Sequence, residues 1–372
     1  MPKPIRRIAI LTSGGDAPGL NAVIRSVVKA AVLGQGWEVM GILDGFEGLI
    51  SPLRARTLTP NDVTGLLPRG GSILGCTSRG HLRTDAQGGY QATRGALASV
   101  AAAIPTLGAD ALVVVGGDGS HRIANELIDL GVPLVGIPKT IDNDLIGTET
   151  TFGFDSAVTF ATEAIDRLHT TAESHGRVMI VEVMGREAGW IALDAGIACG
   201  ADVILIPEIP YRLERASSHI AARDAAGKRF SIVVAAEGAL ALGAGPHDVP
   251  ADSPGGGRAG PRAGTSGLGS RLASELALST GKEARAVVLG HLQRGGSPTA
   301  TDRLLASAFG AAAVRAIAEG RFGQMVAWRN GGIQLVPIAE CVAHPRTVPT
   351  NHPLVATARA LGISFAGDED PP

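Results

Sequence analysis

Seven short apolar runs punctuate the chain, at residues 7–11, 111–115, 133–137, 178–183, 202–206, 230–235 and 284–289, and each gives way to glycine or polar residues. Runs of this length, rich in Val, Ile and Leu, read as strands covered on both faces. Between many of them, apolar positions recur at helical spacing, over residues 21–33, 121–130, 156–169, 187–199, 268–279 and 301–319. The alternation predicts an α/β fold with mainly parallel sheets, doubly wound so that helices cover both faces.

Length turns one such fold into two. A chain of 372 residues with 45% hydrophobic positions is expected to form two doubly wound, Rossmann-like domains. Aromatic residues make up only 3% while Gly numbers 51, so the core must be built from Ala, Val, Leu and Ile packed close to backbone. Residues 242–267 are dense in Gly, Pro and Ala and read as a flexible surface insertion. The acidic tail, residues 367–372, is expected to fray.

A formal net charge of −2 gives no electrostatic reason to expect nucleic acid or an anionic membrane as partner, which leaves small-molecule chemistry. The cysteines, Cys76, Cys199 and Cys341, lie far apart and fit neither a disulfide framework nor a zinc site. A secretory signal and a run of transmembrane length are both lacking. A cytoplasmic location is the expectation.

Doubly wound folds bind ligands beyond the carboxyl ends of their strands, so the loops after the apolar runs carry the candidate chemistry. The first runs from Thr12 through Gly14, Gly15 and Asp16 to Asn21, offering glycine amides and a helix N-terminus to an anion. A tight strand–helix turn explains its glycines equally well. The second, Gly116-Gly117-Asp118-Gly119-Ser120, lets phosphate approach closely and carries in Asp118 an oxygen ligand suited to magnesium. Its plainer reading is a turn with Ser120 capping a helix that begins near His121.

The third loop, Lys139-Thr140-Ile141-Asp142-Asn143-Asp144, clusters two carboxylates beside a lysine. Asp142 can take a proton from an attacking hydroxyl, Asp144 can hold a metal-bound water, and Lys139 can face a phosphate; a solvated polar turn is the alternative. Two more strand-end loops carry arginine, at Met184-Gly185-Arg186 and at Gly290-His291-Leu292-Gln293-Arg294-Gly295-Gly296. Guanidinium groups fit phosphate oxygens bidentately, though structural ion pairs and a buried histidine would use the same residues.

Taken together and in this order, the five loops resemble those of the 6-phosphofructokinase family, from about residue 8 to residue 310. The resemblance implies phosphorylation of fructose 6-phosphate to fructose 1,6-bisphosphate, a committing step of glycolysis, in the cleft between the two domains. It places Asp142 as the base toward the sugar's 1-hydroxyl, with Thr140 nearby and Arg186 offsetting transition-state charge. Gly14, Arg79, Gly117, Asp118, Gly119 and Ser120 would contact ATP, and Asp118 would serve Mg2+. Thr140, Ile141, Asp142, Met184, Gly185, Arg186, Glu237, His291, Leu292, Gln293 and Arg294 would contact the sugar phosphate.

Arg177 and Arg285 would reach in from a neighbouring subunit, which makes a homodimer or homotetramer part of the functional reading. The implied domains are a nucleotide-binding one over residues 1–152, rejoined by residues 297–348, and a sugar-phosphate-binding one over residues 153–296 with the C-terminal segment. Donor choice divides on two positions. Gly119 leaves room for ATP, whereas Lys139 resembles the lysine of pyrophosphate users, and ATP is the expectation.

Alternatives are a pyrophosphate-dependent phosphotransferase and an inactive nucleotide- or sugar-phosphate-binding regulator. NAD and lipid kinases share a Gly-Gly-Asp-Gly loop but lack the third and fifth loops. Arg25 and Lys29 match effector-binding positions of some relatives, or form a solvated helix face; His169 departs from the arginine expected there.

Overall fold

The computed structural model describes residues 4–77, 82–84, 90–92, 94–243 and 267–370, which cluster into two units. One comprises Met1–Ser156 with Arg294–Pro345, the other Ala157–Gln293 with Arg346–Pro372. Arg79 and most of the Gly- and Pro-rich insertion lie outside the described residues.

In chain order the strands are β1 (Arg7–Thr12), β2 (Glu38–Ile42), β3 (Ala55–Leu58), β4 (Leu82–Thr84), β5 (Tyr90–Ala92), β6 (Ala111–Gly116), β7 (Leu134–Pro138), β8 (Val178–Val183), β9 (Val203–Leu205), β10 (Ser231–Ala236), β11 (Ala284–Val288), β12 (Gln324–Arg329) and β13 (Gly332–Pro337). The helices are α1 (Leu20–Lys29), α2 (Arg94–Thr106), α3 (Asp118–Asp129), α4 (Phe154–His175), α5 (Trp190–Ala198), α6 (Leu213–Ala225), α7 (Leu268–Thr280), α8 (Ala300–Ala318), α9 (Ile338–Cys341) and α10 (Pro353–Ala360).

The first unit holds a seven-stranded sheet in the order β13-β12-β7-β6-β1-β2-β3. Its centre is parallel, and its two edge pairs, β2 with β3 and β12 with β13, are antiparallel. The apolar pattern misses β2, β3, β12 and β13, because these outer pairs mix polar positions with apolar ones and carry no continuous run.

Successive residues of a central strand face opposite sides. Ile8 and Ile10 therefore join the core under α1 and α8, while Ala9 and Leu11 join the one under α2 and α3. Each fully buried Ile or Leu contributes about 1.5–3 kcal/mol relative to exposure.

The second unit is built on an all-parallel sheet, β11-β8-β10-β9. Val178, Ile180, Val233 and Ala235 pack under Leu272 and Leu276 of α7 and Ile220 of α6. Thus both sheets place their strand ends, and the loops after them, as an α/β fold requires.

Two expectations change. Helix α3 begins at Asp118, with Gly117 at its N-cap and no side-chain cap, so Asp118, Gly119 and Ser120 form the helix's first turn rather than a loop before it. A carboxylate there is favoured by the helix dipole. The acidic tail is anchored as far as residue 370: Asp370 accepts from Phe365 N at 2.5 Å and from Ser364 Oγ at 2.9 Å, and Asp368 pairs with Arg212 at 2.6 Å. Rather than fraying, the tail accepts through Asp370 from the preceding turn and through Asp368 from Arg212.

Candidate active site

In the first unit, side-chain donors hold the first two loops by their carbonyls. Lys139, only 3% exposed, donates from Nζ to Gly15 O. Arg294 Nη1 donates to Asp16 O at 3.0 Å. It lies so near the glycine turn that a methyl on Gly15 would stand 2.9 Å from Nη1.

His121, fully buried on α3, lies with Nδ1 2.9 Å from Gly117 O. A carbonyl can only accept, so Nδ1 carries the proton. Burial pushes the His121 pKa down to about 4 and keeps the ring neutral. Its Nε2 is buried with no hydrogen-bond partner among the described residues.

A phosphate cradle needs amide N–H groups, and fixing such a loop by its carbonyls leaves N–H groups to point at an anion. Ser13, Gly14 and Lys139 are exceptions, since their N–H groups donate to Val115 O at 2.9 Å, Thr77 O at 3.1 Å and Gly116 O at 2.9 Å. Ser120 is buried against Gly116.

Asp118 offers a fit for a hard cation. Its Oδ2 pairs with Arg122 Nε at 2.9 Å, whereas Oδ1 is buried without a hydrogen-bond partner among the described residues. One protein carboxylate is enough where the rest of the shell comes from nucleotide phosphates and water, as is usual for magnesium.

The third loop brings Thr140, Ile141, Asp142, Asn143 and Asp144 under cover; Asp142 is 2% exposed. Its backbone N–H is held by Thr140 Oγ1 at 3.1 Å, and Thr140 O by Thr151 Oγ1 at 2.7 Å. Between the two carboxylates Asn143 takes a left-handed backbone, φ 53°. Asparagine tolerates that conformation better than most residues, and the kink presents its neighbours differently from a regular turn.

The second unit holds its loop in the opposite way, by N–H groups on carboxylates. Arg186 also has φ 53°, a costly conformation for a long side chain. Its N–H donates to Glu237 Oε1 at 3.1 Å. The adjoining Gly238 lies against the Arg186 carbonyl, 1.9 Å from where a Cβ would stand. Glu237 and Met184 are buried while Arg186 is exposed, so backbone rigidity sits beneath a guanidinium open to a ligand. The loop's last residue, Gly189, donates to Glu208 Oε1 at 3.0 Å.

The structure thus gathers Gly14, Lys139, Gly117 to Ser120, Thr140 to Asp144 and Arg294 within the first unit, and Met184, Gly185, Arg186 and Glu237 within the second. His291 and Leu292 are exposed at a short turn of the second unit, and Gln293 is buried there with Nε2 on Gly290 O. Arg177 and Arg285 both pair with Glu283, at 2.9 and 2.5 Å.

The phosphofructokinase family model matches residues 7–317. The chain belongs to the phosphofructokinase family. An ATP-dependent 6-phosphofructokinase of Chloroflexus aurantiacus is 54% identical over 364 residues, covering 98% of both chains. ATP-dependent 6-phosphofructokinase 1 of Synechocystis is 49% identical over 368 residues, 98% of this chain and 99% of that one. Pichia pastoris phosphofructokinase in the T-state, a crystal structure, matches with a TM-score of 0.78 at 31% identity over 98% of this chain and 37% of that one.

Sequence reasoning missed the residues that hold the loops of this phosphofructokinase: His121, Glu208 and the segment from Arg346 to His352. A faint signal existed. Glu208 follows a strand, as ligand residues do, and Trp190, from a chain with few aromatics, ends the Met184-Gly185-Arg186 loop. Glu208 and Trp190 find their partners 19 and 156 residues away, and no local pattern reports that.

Proposed function

We propose that this chain transfers the γ-phosphoryl group of ATP to the 1-hydroxyl of fructose 6-phosphate. The observation that carries the reading is a buried Asp142 in the same unit as the carbonyl-pinned loop bearing Asp118. Asp142 takes the proton of the hydroxyl as its oxygen bonds to the γ-phosphorus; the bond from that phosphorus to the β–γ bridging oxygen breaks and ADP leaves.

Gly14, Arg79 and Gly117 to Ser120 hold the nucleotide. Asp118 Oδ1 would hold magnesium, which would supply charge neutralisation on the phosphates. Arg186 offsets charge building on the transferred group, with Thr140 beside the base. Met184, Gly185, Glu237, Ile141, His291, Leu292, Gln293 and Arg294 hold the sugar phosphate.

ATP is the donor: Gly119 leaves no side chain to obstruct an inner phosphate, and both similar enzymes above are named ATP-dependent. Lys139 is engaged with Gly15 O and does not require a pyrophosphate.

The enzyme works as a homodimer or homotetramer in the cytoplasm. Supporting this, β11 is an edge strand of the second sheet that exposes Val288 at 46% and the Arg285 side chain at 62%. Arg177 and Arg285 serve the neighbouring subunit's sugar phosphate. Among the described residues no helix is long and apolar enough to cross a membrane.

A coupled assay for fructose 1,6-bisphosphate, with ATP and pyrophosphate supplied separately, tests the assignment. Turnover with ATP and magnesium is expected; turnover with pyrophosphate alone would overturn the donor, and none with either would overturn the reaction.

A further inference from the structure

Helix α5 begins immediately after the loop that carries Arg186, with Gly189 as its N-cap. Glycine has no side chain to satisfy a helix start, and the structure supplies a carboxylate from elsewhere: Glu208, just past β9, accepts the Gly189 N–H. Acidic groups at helix N-termini are favoured by the dipole and by the unpaired amides there.

The same Glu208 Oε1 accepts a second amide, Val348 N, at 2.7 Å. Val348 belongs to the chain's return to the second unit, a segment that also grips Trp190, the first residue of α5. Trp190 Nε1 donates to Arg346 O at 3.1 Å, the Arg346 guanidinium lies 4.0 Å from the ring centroid, and His352 meets the ring edge-on at 5.2 Å. One carboxylate oxygen therefore joins the end of the Arg186 loop to a segment more than 150 residues later in the chain.

The arrangement carries a cost. Glu208 Oε2 is buried with no hydrogen-bond partner among the described residues, and burial pushes the carboxyl's pKa up against the lowering effect of the two amides. A methyl on Gly189 would stand 2.4 Å from Ile206 Cβ and 2.8 Å from Oε2, so loop end and carboxylate are packed face to face. An apolar residue at position 208 would avoid the desolvation but leave two amides unfixed.

We propose that Glu208 is a positioning residue for the phosphoryl acceptor: by holding the Gly189 and Val348 amides together, it fixes the far end of the 184–189 loop and hence the sugar-phosphate-binding groups that loop presents. Glu237 fixes the same loop at Arg186, so acids pin it both within and at its far end, through atoms that need not touch the substrate. This rests on the proposed function in one respect, that the loop binds fructose 6-phosphate.

The test compares Glu208→Ala with Glu208→Gln in the full chain. Gln retains an oxygen that can accept from both amides, whereas Ala retains none. Glu208→Ala is expected to raise the KM for fructose 6-phosphate about 10-fold with the KM for ATP unchanged, since a lost charge-assisted hydrogen bond is of that order; Glu208→Gln should stay within about 2-fold of wild type.

Amide hydrogen exchange of residues 185–190 provides a readout independent of activity, faster in Glu208→Ala and unchanged in Glu208→Gln. An unaltered fructose 6-phosphate KM and unaltered exchange in Glu208→Ala would overturn the inference, as would a Gln variant as impaired as the Ala one. Should Glu208→Ala fail to fold, Arg346→Met carries the test, with a smaller rise in the same KM and faster exchange expected; wild-type values would count against the proposal. A wild-type enzyme inactive on fructose 6-phosphate would refute the functional reading, while exchange would still report whether Glu208 holds the loop.

Discussion

The loops of the two units are fixed by opposite chemistry. In the first, Lys139, Arg294 and His121 donate to the carbonyls of Gly15, Asp16 and Gly117. In the second, Glu237 and Glu208 accept from the amides of Arg186 and Gly189. The difference fits what each half is proposed to offer. A loop that binds phosphate through its backbone has to keep N–H groups for the ligand, so the protein holds it by the other end of the peptide dipole. A loop that binds phosphate through a guanidinium can surrender its N–H groups, and acids beneath it keep the charged side chain from being its own only support.

The comparison is sharpened most by Asp142→Asn. Removing the proposed general base should cut kcat by about 10²–10⁴-fold while the KM for fructose 6-phosphate changes little, measured by the coupled assay. A proportionate rise in that KM would mean that Asp142 binds rather than abstracts.

The carbonyl-pinned half can be broken through pH. His121 has a folded value of about 4 against 6.5 unfolded, so its contribution is complete above 6.5 and is lost as pH falls toward 4. Asp302, buried on α8 and accepting from Ser156, is pushed by burial to about 6 from 3.8; its contribution is present below 3.8 and is lost as pH rises toward 6. Each corresponds to about 3 kcal/mol, and across the shared window they oppose one another. Relative to wild type, His121→Phe should make urea-unfolding stability fall more as pH rises from 4 to 6, and Asp302→Asn should make it rise more. Equal slopes in all three proteins would exclude both assignments.

The amide-pinned half is broken at Gly238. Its missing side chain lets the Arg186 carbonyl approach, and Gly238→Ala should cost about 1–3 kcal/mol through overpacking and raise the KM for fructose 6-phosphate, leaving that for ATP. Denaturant unfolding and steady-state kinetics read the two effects separately. The smallest effect is expected of Arg122→Ala, which removes the partner of Asp118 Oδ2, a partly exposed pair of the kind that contributes about 0–1 kcal/mol; the magnesium requirement should shift modestly, and a lost requirement would argue against Asp118 as the metal's oxygen.

Much of the site was legible because its chemistry is local. Gly117 to Ser120, Lys139 to Asp144 and Met184 to Arg186 are contiguous, each directly after an apolar run, and the strand pattern alone places them at carboxyl ends. Helix α3 was misplaced by three residues because Gly117, not Ser120, terminates the extended backbone. The tail was misread because acidic composition reports average solvation, not the turn at residues 364–370 whose amide and hydroxyl Asp370 accepts.

By itself, then, the sequence determined which residue types stand at which strand ends, and thereby the α/β class and the family's chemistry, since burial periodicity and loop composition act over a few residues. Tertiary structure alone decided how those loops are held: that burial keeps His121 neutral, that Arg294 closes on Asp16 from 278 residues away, and that Glu208 ties Gly189 to Val348. Such contacts depend on the burial and direction of single polar atoms brought together by folding, and nothing in the spacing of residues along the chain records that.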